Sequence, residues 1–279
     1  MRSRMVLFIG LLALAAVACS TTDPGVTATR SRQGASGQLL PPVSTATGNT
    51  TTGNTTAGGT TPPTGSTVPT SYDIIDGVVD FGSNKKSQPY DGFLTHAFKD
   101  IEAFWSDQFK ATYGIDWTPL KGGIYAAYPD RTEAIPGCGT AETTFSDVKG
   151  NAFYCGHGDF MVYDDSFLLP QLVDELGKEA VAIVLAHEFG HAVQGRAGNS
   201  HQPVILSEQQ ADCFAGAWAA HVASGSSDSI HFGDRAIRAG LVAMIQVRDP
   251  VQLAGKDDPN AHGTGFDRVG AFQDGFKGG

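Results

Sequence analysis

The sequence predicts that residues 72–279 fold as an α+β domain. Three patterns lead to this class: an apolar helix period over residues 91–113, two short apolar segments around a Gly-rich turn at 152–164, and an apolar run of helix length at 180–195. Short strands beside several helices are typical of α+β domains. A segment of this length is large enough to bury a substantial core.

The first 19 residues have the composition of a targeting segment. Two arginines precede an apolar stretch, residues 6–17, which is too short for a membrane span and is typical of a signal peptide. The stretch ends in Ala-Val-Ala-Cys at residues 16–19, which resembles a bacterial lipobox. We therefore expect cleavage before Cys19, lipid on its thiol, and an exported protein anchored to the outer face of the bacterial cell membrane. Ordinary secretion after cleavage nearby is the alternative.

Composition separates a linker from the domain and argues against one class of partner. Residues 20–71 are dominated by Thr, Gly, Ser, Pro and Ala, and they contain only three charged side chains. Such a segment buries too little apolar surface to offset its ordering entropy, so we predict a flexible tether that spans roughly 40 Å. The chain has a formal net charge of −10 and no basic patch, so we expect no nucleic acid partner.

The elements of the domain follow from apolar spacing and turn residues. In chain order we predict a helix at 91–113, a strand at 122–128, a turn at 135–139, hairpin strands at 152–155 and 160–164, a helix at 180–195, a second helix from Ser207, a helix at 233–247, and a Gly-rich tail that is mostly loop until 268–276. Small residues at 215–220 are expected to let the second helix pack closely on the helix at 180–195.

The helix at 180–195 contains the motif His-Glu-Phe-Gly-His. His187 and His191 are four residues apart, so they share one helix face and can direct two imidazole nitrogens to one point. Catalytic zinc takes three protein ligands and leaves a position for water. Glu188 lies beside that face and suits the general base that activates this water. Histidines held by ordinary hydrogen bonds in a buried helix are the alternative.

A third ligand and a supporting carboxylate follow along the chain. Ser207 is expected to cap the second helix, on which Glu208 and Asp212 share one face. Glu208 would complete a zinc site of two histidines and one glutamate, and Asp212 would accept the second N–H of a ligand histidine and fix its tautomer. A solvated acidic helix start, favoured by the helix dipole, is the alternative.

Cysteine usage supports an exported protein. Cys138 and Cys155 flank the loop before the hairpin, and they are candidates for a disulfide in an oxidising compartment. Zinc ligation by this pair is the weaker alternative, because no CxxC pairing is present. Cys213 lies inside the second metal helix and is expected to be a buried free thiol.

Several spaced motifs together resemble the neutral zinc metallopeptidases of the bacterial YpfJ-like family. The motifs cover about residues 72–279 and lie at 138–139, 153–155, 162–164, 187–194, 208–216 and 262–276. The resemblance implies a zincin-type α+β metallopeptidase domain in which His187 and His191 bind zinc and Glu188 is the catalytic base. The family's Glu-x-x-x-Asp segment corresponds here to Glu208 and Asp212.

The chemistry of this site predicts a zinc-dependent peptidase of the cell envelope. Zinc-activated water would attack a peptide bond with Glu188 as the general base. The oxyanion then needs a second electrophile, for which His262 in a Gly-rich loop is the candidate and Arg268 and Tyr163 are the runners-up. A plain loop histidine is the alternative for His262. The alternative functions are a non-catalytic zinc-binding envelope lipoprotein that binds a partner, and a lipoprotein with a structural role.

Overall fold

The computed structural model describes residue 19 and residues 71–199, 204–233, 235–246 and 264–278, all of which belong to one compact unit. The elements are α1 Asp91–Tyr113, β1 Gly123–Ala127, β2 Ile135–Pro136, β3 Glu142–Thr143, α2 Phe145–Val148, β4 Ala152–Cys155, β5 Phe160–Asp164, α3 Leu168–Leu176, α4 Lys178–Ala197, α5 Val204–Ala223, α6 Ala236–Gln246 and α7 Gly265–Gly278. The class is α+β, as predicted. Along these ranges, none of the helices combines the length and apolar character that crossing a membrane requires.

The main sheet has three strands in the order β1-β5-β4. The predicted hairpin is present, because β4 pairs antiparallel with β5 from Ala152 opposite Tyr163 to Cys155 opposite Phe160. On its other side, β5 pairs parallel with β1. Every residue of β5 is buried, which fits a central strand, whereas β4 forms an edge of this sheet within the described part of the chain.

The HExxH helix, α4, lies at the centre of the packing. Its residues between Ala180 and Leu185 are all buried, and the helix contacts α1, α3, α5, α6 and β4. An apolar helix surrounded on all sides is the arrangement that its sequence indicates. Buried polar side chains on α4 therefore have little contact with water, and their hydrogen-bond and charge partners determine their protonation.

Three sequence predictions about these elements were wrong. Residues 135–139 do not form only a turn, because Ile135 and Pro136 pair with β3. Ser207 is not a helix cap, because α5 already begins at Val204. Among the small residues of α5, Gly216 faces α7 and not α4, since a Cβ there would lie 2.0 Å from the Phe272 carbonyl oxygen.

The disulfides both support and correct the cysteine predictions. Cys138 and Cys155 are bonded to each other, as predicted. Cys213 is not a free thiol, because it is bonded to Cys19, whose carbonyl oxygen also accepts a hydrogen bond from Gln210 Nε2 at 3.1 Å. A sulfur in a disulfide has no thiol left for a lipid, so the structure contradicts lipid attachment to Cys19. Secretion after cleavage upstream of Cys19 is compatible with this bond.

The disulfide between Cys19 and Cys213 predicts how these residues appear in the exported protein. A digest prepared without reductant and analysed by mass spectrometry should contain a peptide pair joined through these two cysteines. Adding reductant should separate the pair, as it should for the control pair Cys138 and Cys155. A peptide that begins at Cys19 and carries a lipid mass on its sulfur would contradict the structure.

Candidate metal centre

Two histidines of α4 and one glutamate of α5 converge on a single point. The ring centroids of His187 and His191 are 4.9 Å apart, with the ring planes at 85°. His187 Nε2 lies 3.2 Å from Glu208 Oε2, and His191 Nε2 lies 3.3 Å from Glu208 Oε1. The structure thus brings together the three residues that the sequence singles out as zinc ligands.

A glycine inside the motif lets α5 approach α4 closely enough for this meeting. A Cβ atom at Gly190 would lie 3.0 Å from Ala211 Cα and 3.1 Å from its carbonyl oxygen. Contacts this short are tighter than ordinary van der Waals packing, so a larger residue would push the two helices apart. Gly190 is three residues after His187, and Ala211 is three residues after Glu208, so the close contact is one helical turn from the metal ligands.

The Nδ1 atom of each histidine has an oxygen partner, which leaves both Nε2 atoms for a metal. Asp212 Oδ1 lies 2.8 Å from His187 Nδ1, and Asp212 is fully buried. An Arg268 nitrogen also lies 3.3 Å from His187 Nδ1. The shorter contact to an anion prevails, so Nδ1–H donates to Asp212, and in the neutral ring the lone pair is on Nε2.

His191 is oriented by a residue to which the sequence analysis assigned no role. Gln194 Oε1 lies 2.9 Å from His191 Nδ1 and accepts a hydrogen bond from Ser207 Oγ at 2.8 Å. Gln194 Nε2 in turn donates to the Ser207 carbonyl oxygen. The sequence did contain a signal for this role: Gln194 is a glutamine three residues after a ligand histidine in an otherwise apolar helix, and it is buried.

The surroundings of His187 favour its protonated form when no metal is bound. Burial disfavours the charged ring, but the charge of Asp212 and the hydrogen bonds to Asp212 and Glu208 together outweigh it, and the pKa of His187 is raised to about 10. The guanidinium of Arg268 acts in the opposite direction to Asp212. A cation at Nε2 therefore has to displace a proton from this ring.

The spacing of the donors fits a zinc ion. Zinc bonds of about 2.0–2.1 Å in a tetrahedron place neighbouring ligand atoms about 3.3 Å apart. The two contacts between histidine nitrogens and Glu208 oxygens, at 3.2 and 3.3 Å, match that separation. Among the described residues, His187, His191 and Glu208 are the group whose ligand atoms all lie within 4.8 Å of one another. Imidazole and carboxylate are also ligands that zinc accepts.

Glu188 lies beside this trio without joining it. Its Oε1 atom is 3.9 Å from His187 Nε2, a separation that one small molecule can bridge but that is too long for a hydrogen bond. The side chain is 14% exposed, which makes Glu188 accessible from the cavity next to the histidines. This is the position that the sequence analysis predicted for a base that does not bind the metal.

A cavity of about 750 Å³ opens onto the trio. Its lining includes the edge strand β4 on one side, the α4 histidines and Glu188 on another, and Met244 and Gln246 of α6. Val184 and Leu168 add apolar surface near the metal ligands. The volume is in the range of pockets that hold small ligands, so the cavity has room for a short stretch of peptide.

The three candidates for the oxyanion stabiliser have different positions. His262 lies outside the residues that the structure describes. Tyr163 is fully buried in the main core, where its ring stacks on Phe98, and it does not line the cavity. Arg268 reaches the cavity floor, but its Nε atom donates to Asp212 at 2.9 Å. Because Tyr163 does not reach the cavity, the structure contradicts a role for Tyr163 in stabilising the oxyanion.

Comparison with known proteins identifies one family and several relatives. A family model described as "Putative neutral zinc metallopeptidase" matches residues 78–279. Similar curated proteins are an uncharacterized protein of Mycobacterium bovis and uncharacterized proteins of two Mycobacterium tuberculosis strains. Each is 31% identical over 165 residues, which cover 50% of this chain and 55% of the relative. The chain thus spans about half the length of the curated relatives it matches. No solved structure was found to match it.

The contact between Gln194 and His191 predicts an effect on metal affinity. Gln194→Leu removes the acceptor that orients the ring, so we expect Zn²⁺ binding to weaken about 10–100-fold, the range typical for partners of ligand histidines. Competition with a chromogenic chelator measures the change. Gln210→Leu is the control, because Gln210 is also a buried glutamine but contacts the carbonyl of Cys19 and neither histidine. Equal affinities for the two variants would contradict the role of Gln194.

Proposed function

Because this chain belongs to the neutral zinc metallopeptidase family, we propose that it is a zinc-dependent peptidase that cleaves peptide bonds in a peptide or protein substrate. The observation that carries the proposal is the placement of Glu188 beside the donor trio in one accessible cavity. Structural zinc sites are closed by four protein ligands, whereas catalytic sites use three and keep a position open. Three ligand residues, with the carboxylate of Glu188 beside them but not among them, favour a catalytic over a structural zinc site.

In this proposal His187, His191 and Glu208 hold zinc in a zincin-like arrangement. Bound there, zinc supplies a Lewis acid for the substrate carbonyl and lowers the pKa of water toward about 7. Asp212 and Gln194 hold the two imidazole rings with Nε2 toward the site, so little ordering remains to be done when the ion binds. The dry surroundings of α4 strengthen these interactions.

Glu188 moves the protons of the reaction. Its carboxylate takes a proton from the attacking water and then delivers it to the nitrogen of the leaving amine. The 3.9 Å separation from His187 Nε2 leaves the base next to the ligands but not bonded to them. Partial exposure leaves the carboxylate within reach of water in the cavity, which a general base requires.

The edge strand β4 supports a mode of substrate binding. Ala152, Phe153 and Tyr154 line the same cavity as the metal ligands, and β4 is at the edge of the three-stranded sheet. We propose that an extended peptide adds to β4 by main-chain hydrogen bonds, which would place its scissile bond near Glu188. Strand addition recognises backbone, so it suits an enzyme whose substrate is a polypeptide.

We also propose that the protein works outside the cytoplasm. Two disulfides are present among the described residues, and such bonds persist in oxidising compartments. The apolar N-terminal stretch that resembles a signal peptide supports the same location. Cellular fractionation tests this directly, and recovery of the chain in the cytoplasm with reduced cysteines would contradict export.

The separation of metal ligand from base predicts different outcomes for two variants. Glu188→Gln should retain about one zinc per chain but lose about 10²–10⁴-fold in kcat on a peptide substrate, because it removes only the base. Glu208→Ala should lose the zinc, because it removes a ligand. Metal analysis and peptide cleavage by the full-length exported protein measure both effects.

The control for both variants is Glu102→Gln, a carboxylate on α1 that does not line the cavity. It should leave zinc content and kcat unchanged. If wild type and all three variants hold zinc equally and none cleaves peptides, the third ligand is misassigned and a non-catalytic binding role is favoured.

Strand addition predicts protection of β4 when substrate-like ligands bind. With a slowly cleaved peptide analogue bound, the amides of residues 152–155 should exchange with deuterium more slowly, because new main-chain hydrogen bonds cover them. Hydrogen exchange followed by mass spectrometry measures this. The strand at the opposite side of the sheet, β1, is the internal control and should not change, because its outer side already bonds to the backbone of Asp80. Saturating analogue with no protection in β4 would contradict the proposal.

A further inference from the structure

Arg268 of α7 is among the largest fully buried side chains of the described protein, at 1% exposure. Its Nε atom donates to Asp212 Oδ2 at 2.9 Å, and its Nη2 atom donates to Asp212 Oδ1 at 2.8 Å. Asp212 is itself completely buried. This paired geometry fixes the plane of the carboxylate as well as its position, which a single hydrogen bond cannot do.

The fixed carboxylate reaches the metal centre directly. Asp212 Oδ1 accepts from Arg268 and also lies 2.8 Å from His187 Nδ1. We propose that Arg268 is a positioning residue of the metal centre: by locking Asp212, it holds His187 with Nε2 directed at the ion. This inference rests on the proposed zinc site, to which Arg268 contributes no ligand atom.

The burial of this ion pair argues for a geometric role. Removing an arginine and an aspartate from water carries a desolvation cost that attraction between them only partly offsets, so a buried pair is weak evidence for stability. What the pair does provide is orientation, because the planar guanidinium and the carboxylate allow one arrangement. The Nε and Nη2 atoms of Arg268 both donate to Asp212, and Nη2 also lies 3.3 and 3.4 Å from the two nitrogens of His187.

The helix that carries Arg268 is held against α5 by two glycines. A Cβ atom at Gly275 would lie 1.9 Å from the Cys213 carbonyl oxygen, and one at Gly216 would lie 2.0 Å from the Phe272 carbonyl oxygen. The backbones of α5 and α7 therefore touch, and this contact sets how far Arg268 reaches toward Asp212. The C-terminal helix is thus part of the metal centre, although the three candidate ligands lie on α4 and α5.

The first test compares zinc affinity in matched arginine variants of the full chain. Arg268→Lys keeps the positive charge but loses the paired N–H donors of the guanidinium. We therefore expect zinc affinity to fall about 10-fold or more, as for other partners of metal ligands. Arg131→Lys is the control, because the Arg131 side chain is also buried but pairs with the half-exposed Asp80, away from the histidines. Chelator competition on the folded proteins gives both values. Wild-type affinity in Arg268→Lys would overturn the inference.

A double-mutant cycle distinguishes positioning from general stabilisation. If Arg268 acts through Asp212, then adding Arg268→Lys to Asp212→Asn should cause little further loss of zinc affinity. The inference would be overturned if the fold-loss of zinc affinity in the double variant equalled the product of the two single-variant losses to within about twofold. That result would mean that Arg268 does not act through this carboxylate. The melting temperature of the zinc-free proteins is recorded in parallel, so that loss of fold is not read as loss of affinity.

A second pair of variants tests the same inference if Arg268→Lys does not fold. Gly275→Ala leaves Arg268 unchanged but displaces α7, so zinc affinity should fall. Gly270→Ala is the control on the same helix, because a Cβ atom there meets nothing within 4 Å. Equal zinc affinity for these two folded variants would overturn the inference.

The results also separate this inference from the proposed function. Wild-type protein that binds zinc and cleaves peptides, together with variants of Arg268 and Gly275 that bind zinc equally well, would overturn the inference alone. Wild-type protein that binds no zinc would overturn both. Weaker zinc binding in those variants, with normal binding in Arg131→Lys and Gly270→Ala, would support the inference whether or not a cleavable peptide has been found.

Discussion

The close contact between α4 and α5 is the constraint on which the rest of the site depends. Gly190 lets the backbone of Ala211 approach, and this brings Glu208 between two histidines that the helical repeat already places on one face. A Cβ at position 190 would separate the helices by several tenths of an ångström. Metal ligands tolerate errors of about 0.2 Å in distance, so the glycine is as necessary to the site as the donors are.

Charge balance is the second feature that holds the centre together. Arg268 and, without metal, protonated His187 lie against Asp212 and Glu208 in a region with almost no solvent. Each of these groups alone would be costly to bury, but together they form a compensated network. Replacing the proton of His187 by a divalent ion adds one positive charge to these four groups, and the nearby carboxylate of Glu188 is placed to balance it.

Local patterns predicted the elements and the candidate ligands well. The helix Asp91–Tyr113 matches its predicted bounds because the apolar repeat is long and Gly114 ends it in the left-handed conformation. Such patterns do not predict tertiary contacts. The hydrogen bond from Ser207 to Gln194, the ion pair of Arg268 with Asp212 and the Cys19–Cys213 bond join residues 13, 56 and 194 positions apart. Their geometry depends on helix packing, which apolar spacing does not encode.

Anomalous diffraction at the zinc absorption edge, on crystals of the metal-loaded protein, tests the central claim most directly. The account predicts one strong peak bonded to His187 Nε2, His191 Nε2 and a carboxylate oxygen of Glu208, with both Nδ1 atoms still on Asp212 and Gln194. A peak at any other group of side chains, or zinc bonded to a histidine through Nδ1, would contradict it.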